Sequence, residues 1–198
     1  MPKQFIRMPA HHFEIITNHV LVKLEGLSPM LNYHCTGHTM DVIKHAERIA
    51  LDEGINTKEI YLLKVAALYH DTGFLYAYAG HENKSCDIFL QDADEFSFGE
   101  EDKKKILELI MATKMPQQPK TLLQKIICDA DLDYLGRNDF MEIANRLKSE
   151  FLNYAMVADE EEWKNVELKF LKDHHYHTPS SRLLREPVKQ KNYQLLQK

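Results

Sequence analysis

Ala66-Ala67-Leu68-Tyr69-His70-Asp71-Thr72-Gly73 sets an apolar run directly against an ionisable pair and then stops it with glycine. Upstream, Asn56 with Glu59 three residues on is a capping-box pattern, and Ile60, Leu63 and Ala67 follow as an apolar stripe. The spacing predicts a helix that begins near Asn56 and ends at the His-Asp pair. An unpaired carboxylate buried beside Leu68 is costly, so the pair needs partners. Adjacent helical residues diverge by ~100°, yet at a helix end both can turn toward one ion lying off the terminus.

The same periodicity continues on either side. From His38, the residues Val42, Ala46, Ile49 and Ala50 share a face; Ile106, Leu109 and Ile110, and Leu122, Ile126 and Ile127, form two further stripes. Asp159 with Glu162 caps a late helix carrying Trp163, Val166 and Phe170. Between Pro29 and Pro116 there is no proline, as packed helices require, because an interior proline costs about 3 kcal/mol. Gly54, Gly73, Gly80, Gly99, residues 116–119, Gly136 and Thr178-Pro179 divide the chain into helix-length pieces. Period-two alternation is nearly absent, so the fold class expected is all-α.

Composition bounds the function. The 198 residues are enough for one domain with a substantial core, and 44% hydrophobic with 28% charged residues is a globular balance. A net charge of -5, with no dense basic stretch before Arg182, Arg185, Lys189 and Lys191, argues against a nucleic-acid polymer as partner. Residues 1–24 interrupt their apolar positions with His11, His12, Glu14 and Asn18, unlike a signal peptide, and no uncharged run has the length of a membrane helix. Cys35, Cys86 and Cys128 form no CxxC pair, which fits a reducing compartment. The expectation is a soluble, cytoplasmic protein with no membrane partner; a homo-oligomer is left open.

Eleven histidines are the compositional excess. His34 and His38 are four apart and share a face if the helix already includes His34; if Gly37 marks its start, His34 approaches from a loop. Asp129-Ala130-Asp131 follows Ile126-Ile127-Cys128, so its carboxylates emerge from the core side of a helix, where they call for a cation. Two imidazoles with two carboxylates make a mixed nitrogen–oxygen site suited to Mn, Fe, Zn, Ni, Co or, with less nitrogen preference, Mg. Capping or ion pairing is the reading for Asp133, and ordinary packing that for His45. His11 and His12 are read as surface residues, and His174, His175 and His177 as complements to a helix C-terminal dipole. Phe74, Tyr76 and Tyr78 are read as core or lid residues.

The order His38, His70-Asp71 and a distant Asp resembles the H…HD…D signature of HD-superfamily metal-dependent phosphohydrolases. Tyr33-His34 followed by His38 is also similar to a segment of the cyclic nucleotide phosphodiesterases, with Cys35 where those enzymes usually carry Asn. The resemblance spans roughly residues 33–136. It implies a single-domain HD-type helical bundle over residues 1–198, with the motif-bearing core at about 30–137 and C-terminal helices completing it. It also implies a divalent metal on His38, His70, Asp71 and one of Asp131 or Asp129, Asp131 being preferred because the last ligand commonly follows an Ala. His34 and Asp71 become the catalytic candidates, His34 as general acid. His81, followed by Glu82, takes a second metal or phosphate, and Lys114 and Arg137 are candidate phosphate contacts. Ala112-Thr113-Lys114 stands where a further metal ligand would be expected, which favours one principal ion. The implied activity is hydrolysis of a phosphate ester, with a nucleotide or cyclic nucleotide as the small phosphorylated partner. The alternatives are a di-iron oxygenase of the same fold and a non-catalytic nucleotide- or metal-binding module.

Overall fold

The computed structural model describes residues 8–197; residues 1–7, part of the stretch read as lacking a signal-peptide core, lie outside the described residues. Helices run in the order α1 (Met8–Leu24), α2 (Thr36–Asp52), α3 (Thr57–Tyr69), α4 (His81–Ala93), α5 (Glu100–Ala112), α6 (Leu122–Asp131), α7 (Phe140–Asn153), α8 (Glu160–Asp173) and α9 (Pro179–Leu196). Short 3-10 turns at Thr72–Leu75 and Asp133–Gly136 follow α3 and α6. The described residues contain no strand, in agreement with the expected all-α HD-type bundle.

α3 is the axis of the bundle. Leu62, Leu63, Val65, Ala66, Ala67, Leu68 and Tyr69 are all buried, as a helix apolar on every side must be. It packs against α1, α2, α4, α5 and α6, with Ala66 and Ala67 giving neighbours room to approach. The Asn56 side chain accepts from the Glu59 N–H at 3.0 Å, and Asp159 caps α8 in the same way through Glu162 at 2.9 Å. Two stripes differ from expectation. Leu122 is 41% exposed, and Leu123 turns inward instead, three and four residues before the buried Ile126 and Ile127 on the same face. In α8, Trp163 is buried but Val166 is 40% exposed.

The main core joins α1 to α6; a smaller cluster of Tyr33, Leu132, Tyr134, Leu135, Phe140, Ala144 and Leu171 joins the loop before α2 and the turn after α6 to α7 and α8. Ala130 belongs to the first cluster and Leu132 to the second, so Asp131 stands on the seam between them. No helix of the described residues is long and apolar enough to cross a membrane.

The turn after the His-Asp pair depends on the absence of a side chain. A Cβ on Gly73 would lie 1.9 Å from the His81 carbonyl oxygen, so the start of α4 can rest on this turn only over glycine. The buried Ser85 hydroxyl completes the joint, accepting from Gly73 N–H at 2.9 Å and donating to His70 O at 2.7 Å. Gly73→Ala is expected to destabilise the protein by about 1–3 kcal/mol or more, the usual range for overpacking. Gly99→Ala, where a Cβ meets nothing within 4 Å, costs less. Thermal unfolding of the two variants checks the contrast.

Candidate metal centre

Three helix ends meet at the seam. His70 is the C-cap of α3, and Asp71 leaves the helix at φ -110° and ψ 4°, which turns its carboxylate back toward the bundle. His38 sits in the first turn of α2, and Asp131 is the last residue of α6. Nε2 of His38 lies 3.2 Å from Asp131 Oδ1 and 3.4 Å from Asp71 Oδ2; Nε2 of His70 lies 3.1 Å from Asp71 Oδ2 and 3.6 Å from Asp131 Oδ1. His70 Nδ1 donates to Ala67 O at 2.7 Å, so Nε2 is the nitrogen left with a lone pair when the ring is neutral.

The chemistry of this set fits a divalent cation. His70 Nε2 and Asp71 Oδ2 are buried and have no hydrogen-bond partner, an arrangement that costs about 1–3 kcal/mol per group when nothing compensates it. Ligand atoms of His38, His70 and Asp71 lie within 4.8 Å of one another and could hold a metal ion. Burial alone would make His38 less basic, but the facing carboxylates of Asp131 and Asp71 raise it from 6.5 to about 9. Burial alone would raise the carboxyl of Asp131, yet His38 and His70 lower it from 3.8 to about 2. Asp71 is likewise held well below its ordinary value against its burial, chiefly by His70.

Around this centre the rings are stacked. Phe74 lies between His34 and His81, with centroids 4.2 Å and 3.9 Å away. His81 Nε2 is 3.4 Å from Asp71 Oδ1 and 3.7 Å from Glu82, and its Nδ1 faces Tyr78 O at 3.0 Å. Against the desolvation that lowers it, Asp71 raises the His81 imidazole. His34 reaches the centre from the loop before α2, which starts at Thr36. A cavity of about 190 Å³ adjoins His38 and Asp131 and is lined further by Tyr33, Asp41, Arg137 and Arg146. Arg137 is clamped in it by Asp41 at 2.6 Å and Asp139 at 2.8 Å, with His45 at 2.8 Å.

Several expected residues are elsewhere. Asp129, the alternative ligand, is spent on the C-terminal segment: its oxygens accept from His177 N–H, Thr178 N–H and the Thr178 hydroxyl at 2.7–2.8 Å. Two residues before the end of α6 its side chain points toward α9, away from the His pair. Lys114 is exposed at the end of α5 and does not line the cavity. Asp133 is an ion-pair hub, bound by Arg48 at 3.0 Å and Arg185 at 2.9 Å. His45 is buried between Asp41 and Asp133, 3.3 Å and 3.2 Å away. His174 cannot complement a helix dipole, because burial and Lys189 push it down to about 3, leaving it neutral. His12 is not a free surface residue but packs on Tyr61, Phe96 and Phe98. Glu150, Asp41 and Gln117 were not singled out from sequence. Asp41 follows His38 by three on the same helix face, a signal that was there to read, whereas Glu150 and Gln117 carry no local one.

The family model of the HD domain matches residues 36–133, and the chain belongs to the HD superfamily. No curated protein matches it in sequence. Among the solved structures that share the fold are the following three. A predicted HD superfamily hydrolase from an uncultured Thermotogales bacterium is 18% identical over 91% of this chain and 88% of its own, with a TM-score of 0.61. Bacillus subtilis YpgQ in complex with ADP is 18% identical over 96% and 93%, with a TM-score of 0.68. A structural-genomics target from Lactobacillus plantarum is 16% identical over 95% and 96%, with a TM-score of 0.67.

The histidine and the carboxylate act in opposite pH windows. In metal-free protein, His38 contributes stability that is complete below pH 6.5 and is lost as pH rises through about 9. Asp131 contributes stability that is complete above 3.8 and is lost as pH falls through about 2. Urea unfolding of chelator-treated protein is expected to show stability declining between pH 6.5 and 9, with a shallower decline in His38→Gln.

Proposed function

We propose that this protein is a metal-dependent hydrolase of phosphate esters, acting on a small nucleotide or cyclic nucleotide. The observation that carries the reading is the convergence of His38, His70, Asp71 and Asp131 beside a cavity lined by Arg137 and Arg146 together with Asp41, Asp139 and Glu142, with His70 Nε2 and Asp71 Oδ2 lacking any other partner. Those four side chains would hold the ion, which supplies a Lewis acid and activates water when bound, the two needs of phosphate-ester hydrolysis. Mn, Fe, Zn, Mg, Ni and Co all suit the donor set.

The chain's own groups divide the remaining work. His34 donates a proton to the departing oxygen. Arg137, and His81 in its protonated form, offset phosphoryl charge on two sides of the centre. Phe74 keeps the His34 and His81 rings at fixed separation. The cavity is below the roughly 300–1,000 Å³ typical of enclosing ligand pockets, so part of a nucleotide would lie outside it. The ADP in the structure of YpgQ supports a nucleotide as ligand for this fold. A reducing, cytoplasmic setting fits the three free cysteines, and the net charge of -5 fits a small substrate rather than a nucleic-acid polymer.

The test is a screen of bis-p-nitrophenyl phosphate, p-nitrophenyl phosphate, cyclic mononucleotides and nucleotides against these metals. Activity is expected to require metal and to fall more than about 100-fold in His70→Ala and Asp131→Ala, beyond what loss of a residue supporting a ligand causes. Two irons per chain in anaerobically purified protein would instead establish the oxygenase reading. Tight nucleotide binding without turnover, unchanged in His70→Ala, would establish the binding module.

A further inference from the structure

Glu150 is a fully buried carboxylate outside the metal centre, and neither it nor His34 lies in the segment matched by the family model. It comes from α7 and is 0% exposed, yet both of its oxygens are occupied. Oε2 accepts from the backbone N–H groups of Tyr33 at 2.9 Å and His34 at 3.0 Å. Oε1 accepts from the Tyr78 hydroxyl at 3.0 Å and from Nδ1 of the His34 ring. Burial would raise this carboxyl, but the His34 ring and the two backbone donors keep it below its ordinary value.

Capping the loop before α2 would need only an amide or hydroxyl acceptor, since two backbone N–H groups carry no charge. A buried carboxylate costs more and demands a charged or chargeable partner, and the ring of His34 is the one it meets. An ionised carboxylate only accepts, so Nδ1 carries the hydrogen and Nε2 faces away from Glu150. The plane of the ring is fixed by Phe74 stacked at 4.2 Å and by His38 edge-on at 5.8 Å. Three distant segments therefore meet on Glu150: the loop before α2, the approach to α4 that carries Tyr78, and α7.

We propose that Glu150 is a positioning residue that locks the His34 ring with Nδ1–H toward itself and presents Nε2 to the oxygen of a departing alcohol, so that the enzyme is built for esters with poor leaving groups. The inference rests on the phosphate-ester hydrolase reading above. In the step concerned, the phosphorus–oxygen bond to the leaving group breaks with its electron pair going to oxygen. The proton on Nε2 of the doubly protonated ring moves to that oxygen, and the released alcohol departs neutral. The attacking water supplies the new oxygen on phosphorus, keeping one hydrogen there and releasing its other proton to solvent. His34 is left neutral, still bonded to Glu150 through Nδ1–H, and regains its proton from solvent.

The test compares Glu150→Gln, His34→Asn and the double variant on metal-loaded protein, using p-nitrophenyl and alkyl esters of the same phosphate. General acid assistance is worth about 100–10,000-fold and matters most when the leaving oxygen is strongly basic. Glu150→Gln is expected to lower kcat for the alkyl ester by at least about 10-fold and for the p-nitrophenyl ester by less than about 3-fold, with KM unchanged for both. In the His34→Asn background it adds no further loss, as two residues acting as one unit require. An equal fall for both esters, or additive losses, overturns the assignment. Should Glu150→Gln fail to fold, Tyr78→Phe is expected to show the same selectivity at smaller size, and uniform losses there overturn the assignment as well. A readout independent of activity is the nitrogen NMR spectrum of the metal-free protein, in which His34 Nδ1 is protonated; a ring protonated on Nε2 alone contradicts the proposal. A wild-type protein that cleaves no ester overturns the hydrolase reading itself, whereas an active wild type with no leaving-group selectivity in Glu150→Gln overturns only this inference.

Discussion

His70 Nε2 and Asp71 Oδ2 face each other 3.1 Å apart in the interior without a hydrogen-bond partner, and the ends of three helices are placed around them. α3 and α6 both arrive by their C-termini, so their exposed carbonyl ends add negative potential to that of Asp71 and Asp131. A carboxylate at a helix C-terminus and a protonatable His38 in the first turn of α2 each oppose the local dipole. A fold keeps such violations of local preference where function needs them, and here a bound cation would relieve the crowding of negative charge. The apolar axis of α3 lets this happen, since a helix buried on every side can deliver two polar residues into the interior at its end.

The all-helical fold was legible because its signals are local. Asn56 and Asp159 announce their helices, and the stripe along α3 ends where the glycine turn begins. The candidate cluster of His38 with His70 and Asp71 was legible for the same reason. Choosing between Asp129 and Asp131 was not a local matter, because it depends on where α6 stops and on what lies beside it. Asp131 terminates the helix, and Asp129 meets the backbone of Thr178 nearly fifty residues on. Whether His34 belonged to a helix face or a loop turned on a start at Thr36 that no strong capping residue marks; Cys35 stands at that position and makes no side-chain cap bond.

Long-range charge was the least legible layer. Glu150 lies 116 residues from His34, and Asp133 gathers Arg48, Arg185 and His45 from α2 and α9. The Asp133 network braces Arg137 from behind while Asp41 and Asp139 hold its guanidinium at the cavity. Gly136 lets α9 close on this turn, since a Cβ there would sit 2.5 Å from the Arg185 carbonyl oxygen. The helices beyond the matched HD segment therefore do more than complete the bundle: α7 supplies the partner of His34, and α9 fixes the turn that carries Arg137.

The central claim is that the two His–Asp pairs form one divalent metal site. Anomalous diffraction from crystals of Mn-loaded protein tests it directly. The account predicts one strong peak per chain enclosed by His38 Nε2, His70 Nε2, Asp71 and Asp131. A peak on Asp129 or at another cluster, or protein that takes up no metal while folded, would contradict it.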